Sequence, residues 1–64
     1  MFTFDRRFFD DRLTELGMTF NDYLRTYARS AKAFNRWDSG KRIYAVSVEL
    51  IACDLRTDWR NLTI

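Results

Sequence analysis

Apolar positions in this chain recur at helical spacing in four successive blocks. From Asp5 to Leu16, Phe9, Leu13 and Leu16 fall at i, i+4 and i+7, and Phe4 and Phe8 form a second pair further round. Gly17 stops that block, because glycine enters a left-handed helix cap without the steric cost a side chain meets. Thr19 then fits an N-cap, with Asp22 three residues on as its capping-box partner. Phe20, Tyr23, Leu24 and Tyr27 follow at i, i+3, i+4 and i+7, one clean stripe. This second helix must be short, since the next capping residue, Ser30, arrives at once. Between Ser30 and Ser39 the faces separate sharply. Phe34 and Trp37 point one way, flanked by Ala31 and Ala33; Lys32, Asn35, Arg36 and Ser39 point the other. Gly40 stands where a C-terminal cap is expected, and Lys41 and Arg42 add positive charge near the negative helix end.

The last block, Tyr44 to Arg56, is apolar on two sides. Val48, Ile51, Ala52 and Leu55 make one stripe; Val46, Leu50 and Cys53 make another. One stripe suffices for the core of so small a domain, so the second needs a terminal segment over it or another subunit. The termini, MFTF (residues 1–4) and NLTI (residues 61–64), both alternate in polarity, and either could be a short strand. The pattern predicts a single compact all-α domain over residues 1–64. It has four helices, a helix-turn-helix at residues 19–39, and room for a short terminal strand.

Composition narrows the chemistry. A chain of 64 residues buries only about 60% of the surface its unfolded form exposes, so stability is marginal. Apolar residues at 47% are too many for a disordered segment. No apolar run approaches the roughly 18 residues of a bilayer span, and the opening Met1 to Phe4 followed by charges lacks the form of a signal peptide. The single cysteine, Cys53, excludes an internal disulfide, and a cytoplasmic location is expected. With no histidine, the chain cannot build a zinc site of four nitrogen or sulfur ligands. Gly17 and Gly40 alone cannot form a phosphate loop. No metal, cofactor, small-molecule substrate or enzymatic activity is expected. Asp11 and Glu15, one turn apart, are the nearest approach to an acid pair, and are expected to pair with Arg7 and Arg12 along the helix surface instead.

The net charge of +2 conceals an uneven distribution. Residues 25–42 carry Arg25, Arg29, Lys32, Arg36, Lys41 and Arg42 against Asp38 alone, a balance of +5, while residues 1–24 come to −2 and residues 43–64 to −1. A basic middle third is the pattern expected where one element faces a polyanion. Two short helices joined by a tight turn, the second with a basic outer face, suit the DNA major groove, which is about 12 Å wide and admits one helix. Phe34 and Trp37 would lock such a helix from inside. Outside, Ala31, Lys32, Asn35 and Arg36 are expected at base edges, where Arg or Lys can pair with guanine and Asn with adenine. Arg29, Lys41 and Arg42, with the hydroxyls of Thr19, Ser30 and Ser39, are expected at the phosphates.

The run from Gly17 to Arg42, GMTFNDYLRTYARSAKAFNRWDSGKR, resembles the helix-turn-helix of the lambda-repressor/Cro (XRE) superfamily. Ser30, Phe34, the Arg36-Trp37 pair and the Gly40-Lys41-Arg42 exit carry the likeness, at the family's spacing without a gap. The following apolar helix and the Trp59-Arg60 pair are closer to a subgroup of small phage and prophage regulators that includes excisionase-like proteins. The resemblance covers about two-thirds of the chain. It implies a lambda-repressor-like fold and a Cro-type transcriptional regulator or a recombination directionality factor. The chain departs from the family at Leu24 (usually a small residue), Ala28 (usually glycine), Arg29 (usually apolar) and Phe20 (often a phosphate-touching Gln or Ser).

A domain this small makes few contacts, so a homodimer on double-stranded DNA is expected. It would be joined by Val46, Leu50 and Cys53 on the last helix and by Trp59, Leu62 and Ile64 in the C-terminal segment. The alternative is a small phage-encoded interaction protein on the same scaffold that binds a host protein. The departures in the turn motivate it, together with an adhesive patch of exposed Phe2, Phe4 and Phe8.

Overall fold

Helix boundaries in this chain are set mainly by neighbouring residues. The computed structural model describes all 64 residues, with α1 at Arg6–Glu15, α2 at Phe20–Tyr27, α3 at Ala31–Asp38 and α4 at Ala45–Leu55. A short 3-10 turn, η1, follows at Trp59–Leu62. The architecture is all-α, and no helix is long and apolar enough to cross a membrane.

Asp5 caps α1 by accepting the Phe8 N–H at 3.0 Å. Thr19 and Asp22 form the expected capping box on α2, each side chain accepting the other residue's backbone N–H, at 3.1 and 3.2 Å. Ser30 stands at the N-cap of α3 with extended backbone, but its hydroxyl makes no capping bond. All four helices close alike, in the paired 6→1 and 5→2 hydrogen bonds of a Schellman motif. Met18 donates to Leu13, Arg29 to Leu24, Lys41 to Arg36 and Thr57 to Ala52, at 2.9 to 3.1 Å. The left-handed residues that permit these closures are Gly17, Ala28, Gly40 and Arg56.

The core is aromatic on one side and aliphatic on the other. Phe34, 1% exposed, packs against the rings of Phe4, Phe9, Phe20, Tyr23 and Trp37, with centroids 4.9 to 6.0 Å away in tilted or edge-on arrangements that aromatic quadrupoles favour. Val48, Ile51, Ala52 and Leu55 of α4 supply the aliphatic side with Ile43 and Leu62.

The termini pair with each other and leave the second stripe of α4 uncovered. Phe2 and Ile43 exchange both backbone hydrogen bonds, at 2.9 and 2.8 Å. Phe4 forms an isolated bridge with Thr63, supported by Asp5 N–H to Leu62 O at 2.7 Å and Ile64 N–H to Thr3 O at 3.0 Å. The alternating segment at residues 1–4 therefore pairs through isolated bridges, while of residues 61–64 only Thr63 joins a bridge, since Asn61 and Leu62 lie in η1. This threading places Phe4 against Phe9, Phe34 and Trp37, and overturns the expectation of an adhesive patch: Phe4 is buried, Phe2 stacks at 5.2 Å on Trp59, and Phe8 packs on the core edge.

Candidate nucleic-acid interface

Inward rings and outward polar groups follow from the spacing of α3. With Phe34 buried and Ala33 and Trp37 half-buried, Ala31, Lys32, Asn35, Arg36 and Ser39 come out on the exposed side. The side chains of Lys32, Asn35, Arg36, Lys41 and Arg42 make no ion pair and no hydrogen bond within the chain. Ser39 donates its hydroxyl to Arg36 O at 2.8 Å, an expected arrangement at a helix end. The Ser30 hydroxyl lies free at the start of the same helix. Thr19 is exposed, with Oγ1 accepting within the capping box.

One expected phosphate ligand is elsewhere engaged. Arg29 turns away from the outer face of α3 and forks onto Asp54 of α4, with Nε to Oδ2 and Nη2 to Oδ1 both at 2.8 Å. The Tyr23 hydroxyl donates to the same Oδ2 at 2.7 Å. A carboxylate only 8% exposed must be paired, and the nearest cation is Arg29. Burial, reinforced by the Asp54 carboxylate, pushes the Tyr23 phenol above its ordinary range; the fork likewise raises Arg29. Sequence reasoning missed this cluster. Its one signal was an acid at position 54, at the edge of the stripe that buries Ile51 and Leu55.

The only acid among residues 25–42 is also compensated. Asp38 accepts from Arg6 Nη1 at 2.7 Å, and Arg6 also pairs with Asp10 at 2.9 Å. The guanidinium lies 4.3 Å from the centroid of the Phe20 ring, a cation–π contact that fixes its direction. The expected helix-surface pairing of Asp11 and Glu15 is only partly realised: Glu15 lies 3.5 Å from Arg12, whose main bond is Nε to Leu55 O at 2.9 Å, capping α4.

Of the expected dimer contacts, Val46, Leu50, Cys53, Trp59 and Ile64 lie on the surface, the first at 64% and the last at 84% exposure. Leu62 does not. It is wholly buried, because η1 folds back under α1 and α4 and carries this side chain into the core. The second stripe of α4 thus remains uncovered within one chain. No group of three or more His, Cys, Asp or Glu side chains could hold a metal ion.

The resulting interface is a convex helix face with free cations and one free amide, flanked by the exit residues Lys41 and Arg42. Its charged and amide side chains have no partner within the chain. The chain matches no protein-family model, no curated protein and no solved structure.

Proposed function

We propose that this protein binds double-stranded DNA by laying the outer face of α3 in the major groove. The observation that carries the reading is the set of unengaged donors on that face, Lys32, Asn35 and Arg36, beside an Asp38 already neutralised by Arg6. Lys32 and Arg36 suit guanine O6 and N7, and Asn35 suits adenine N6 and N7. Ala31 meets the groove floor without a steric obstacle. Lys41, Arg42 and the hydroxyls of Ser30 and Thr19 serve the phosphates, whereas the Ser39 hydroxyl proton is already given to Arg36 O. Arg29 is not assigned to them.

The long axis of one chain is 28 Å, shorter than the turn of about 34 Å that separates two half-sites. One copy therefore reads one half-site, and a second copy docked on the exposed stripe of Val46, Leu50 and Cys53 doubles the footprint. The likeness to lambda-repressor/Cro helix-turn-helix sequences supports the biological role, a phage or prophage regulator or directionality factor working in the bacterial cytoplasm.

Fluorescence anisotropy with a labelled random duplex tests this. Between about 50 and 200 mM salt, log K is expected to fall with log salt at a slope of about −0.9 per neutralised phosphate. Lys41→Ala/Arg42→Ala should flatten that slope by about 2. If no duplex is bound at low salt, DNA binding is excluded and a host-protein partner becomes the better reading.

A further inference from the structure

Helix α3 is fastened differently at its two ends. Phe34, the fourth of its eight residues, and Trp37 pack into the aromatic core, and at its C-terminal end Asp38 is held by Arg6. At its N-terminal end the Ser30 hydroxyl makes no cap, and the preceding turn passes through Ala28 at φ 55°, a conformation that side chains resist. The side-chain hydrogen bonds that hold that end are those of Arg29, a two-pronged fork to Asp54 at 2.8 Å on each prong. The Tyr23 hydroxyl, at 2.7 Å, adds α2 to the same carboxylate. Three elements thus meet on one side chain: α2, the turn and α4.

We infer that Asp54 is a positioning residue for nucleotide recognition, setting the angle at which α3 leaves the turn and hence where Lys32 and Asn35 reach. This rests on the DNA-binding reading above. The physical reason is directionality. Ring packing is tolerant of small rotations, because dispersion attraction is spread over many weak contacts. A charge-assisted fork between planar groups is not tolerant, since both hydrogen bonds lengthen when either plane turns. Lys32 lies three residues after Arg29, so a small tilt at the turn moves its reach relative to the base edges. Asp54 itself faces Tyr23 and Arg29 and is not on the outer face of α3. Its neighbour Cys53 lies on the uncovered stripe of α4, so a partner docked there sits against the same helix that anchors the turn.

Residual dipolar couplings of the free protein measure the orientation of α3 relative to α4 without DNA, and duplex discrimination is measured in parallel. Asp54→Asn preserves shape and removes the charge; Arg29→Lys preserves the charge and removes the fork. Both should reorient or broaden the signals of residues 30–33. Both should also lower the preference for a selected duplex over a random one by about tenfold, comparable to one misplaced base contact. Affinity for random duplex at low salt should stay level or rise in Asp54→Asn. Tyr23→Phe, which keeps the fork, should retain most of the discrimination. If Asp54→Asn fails to fold, Arg29→Lys carries the test. Unchanged orientation in a folded variant overturns the inference, as does altered orientation with undiminished preference. A wild-type protein that binds no duplex would sink the DNA reading itself, and the couplings would then still decide whether the fork orients α3.

Discussion

Arg6 reaches from α1 to Asp38 at the end of α3, Nη1 to Oδ2 at 2.7 Å, while its guanidinium lies over the Phe20 ring. The pair ties the first helix to the third and cancels the one negative charge in a segment that otherwise carries only cations. Both side chains are roughly a third exposed, so the bond contributes little to stability, at most about 1 kcal/mol for a surface pair. Its larger effect is on the local field.

Asp38→Asn is therefore expected to raise affinity for random duplex at low salt, with the melting temperature nearly unchanged. Anisotropy across a salt series checks this. Lower affinity would mean that Arg6, once released, no longer holds α3 in place.

Ala28 adopts φ 55° and ψ 46° in the turn between α2 and α3. A side chain in that region costs roughly 1–2 kcal/mol, part of which glycine gives back through its greater freedom when unfolded. Ala28→Gly should stabilise the protein by about 1 kcal/mol, or about 4–8 °C in a domain of this size. Gly17→Ala, at φ 69° with open space around the new methyl, should destabilise it by a similar amount for the same reason. Thermal unfolding followed by circular dichroism measures both.

Acid and alkali should act at different places. The Arg60 side chain and backbone N–H hold the Asp58 carboxyl down at about 2, so its cap on η1 is fully present above about pH 4 and is lost as pH falls towards 2. Amide signals of Arg60 and Asn61 should report that loss. Tyr23 has a raised folded value, so its contribution is whole below about pH 10. It declines at higher pH, where the unfolded chain releases a proton that the folded one keeps. Tyr23→Phe should remove that part of the alkaline decline.

Leu50→Asp places a charge in the centre of the uncovered stripe, on a residue 47% exposed in one chain. Sedimentation should show monomers for the variant and dimers for the parent, with folding intact. Equal mass for both would remove the second copy from the account.

Much of the fold was legible because its signals are local. Thr19 with Asp22, Gly17 and Gly40, and the spacing of Phe34 and Trp37 each specify a boundary or a face within a few residues, and the limits of α2, the turn and α3 follow from them. The non-local contacts were not legible. Nothing near Arg29 in the chain announces Asp54, 25 residues away, and a cation in a basic segment is by its neighbours alone indistinguishable from a phosphate contact. Leu62 fits an alternating surface strand as well as a buried 3-10 turn, and only the fold-back of η1 decides between them. Phe4 likewise depends on where the N-terminal segment threads. The free donors of α3 were legible because exposure there is the complement of a helical period.

Selection of bound duplexes from a random pool, run in parallel for the parent protein and Asn35→Ala, tests whether that outer face reads bases. The parent should enrich a two-fold-symmetric motif, and Asn35→Ala should enrich the same motif with one adenine position per half-site relaxed. Identical motifs from the two proteins, or no enrichment from the parent, would contradict the account.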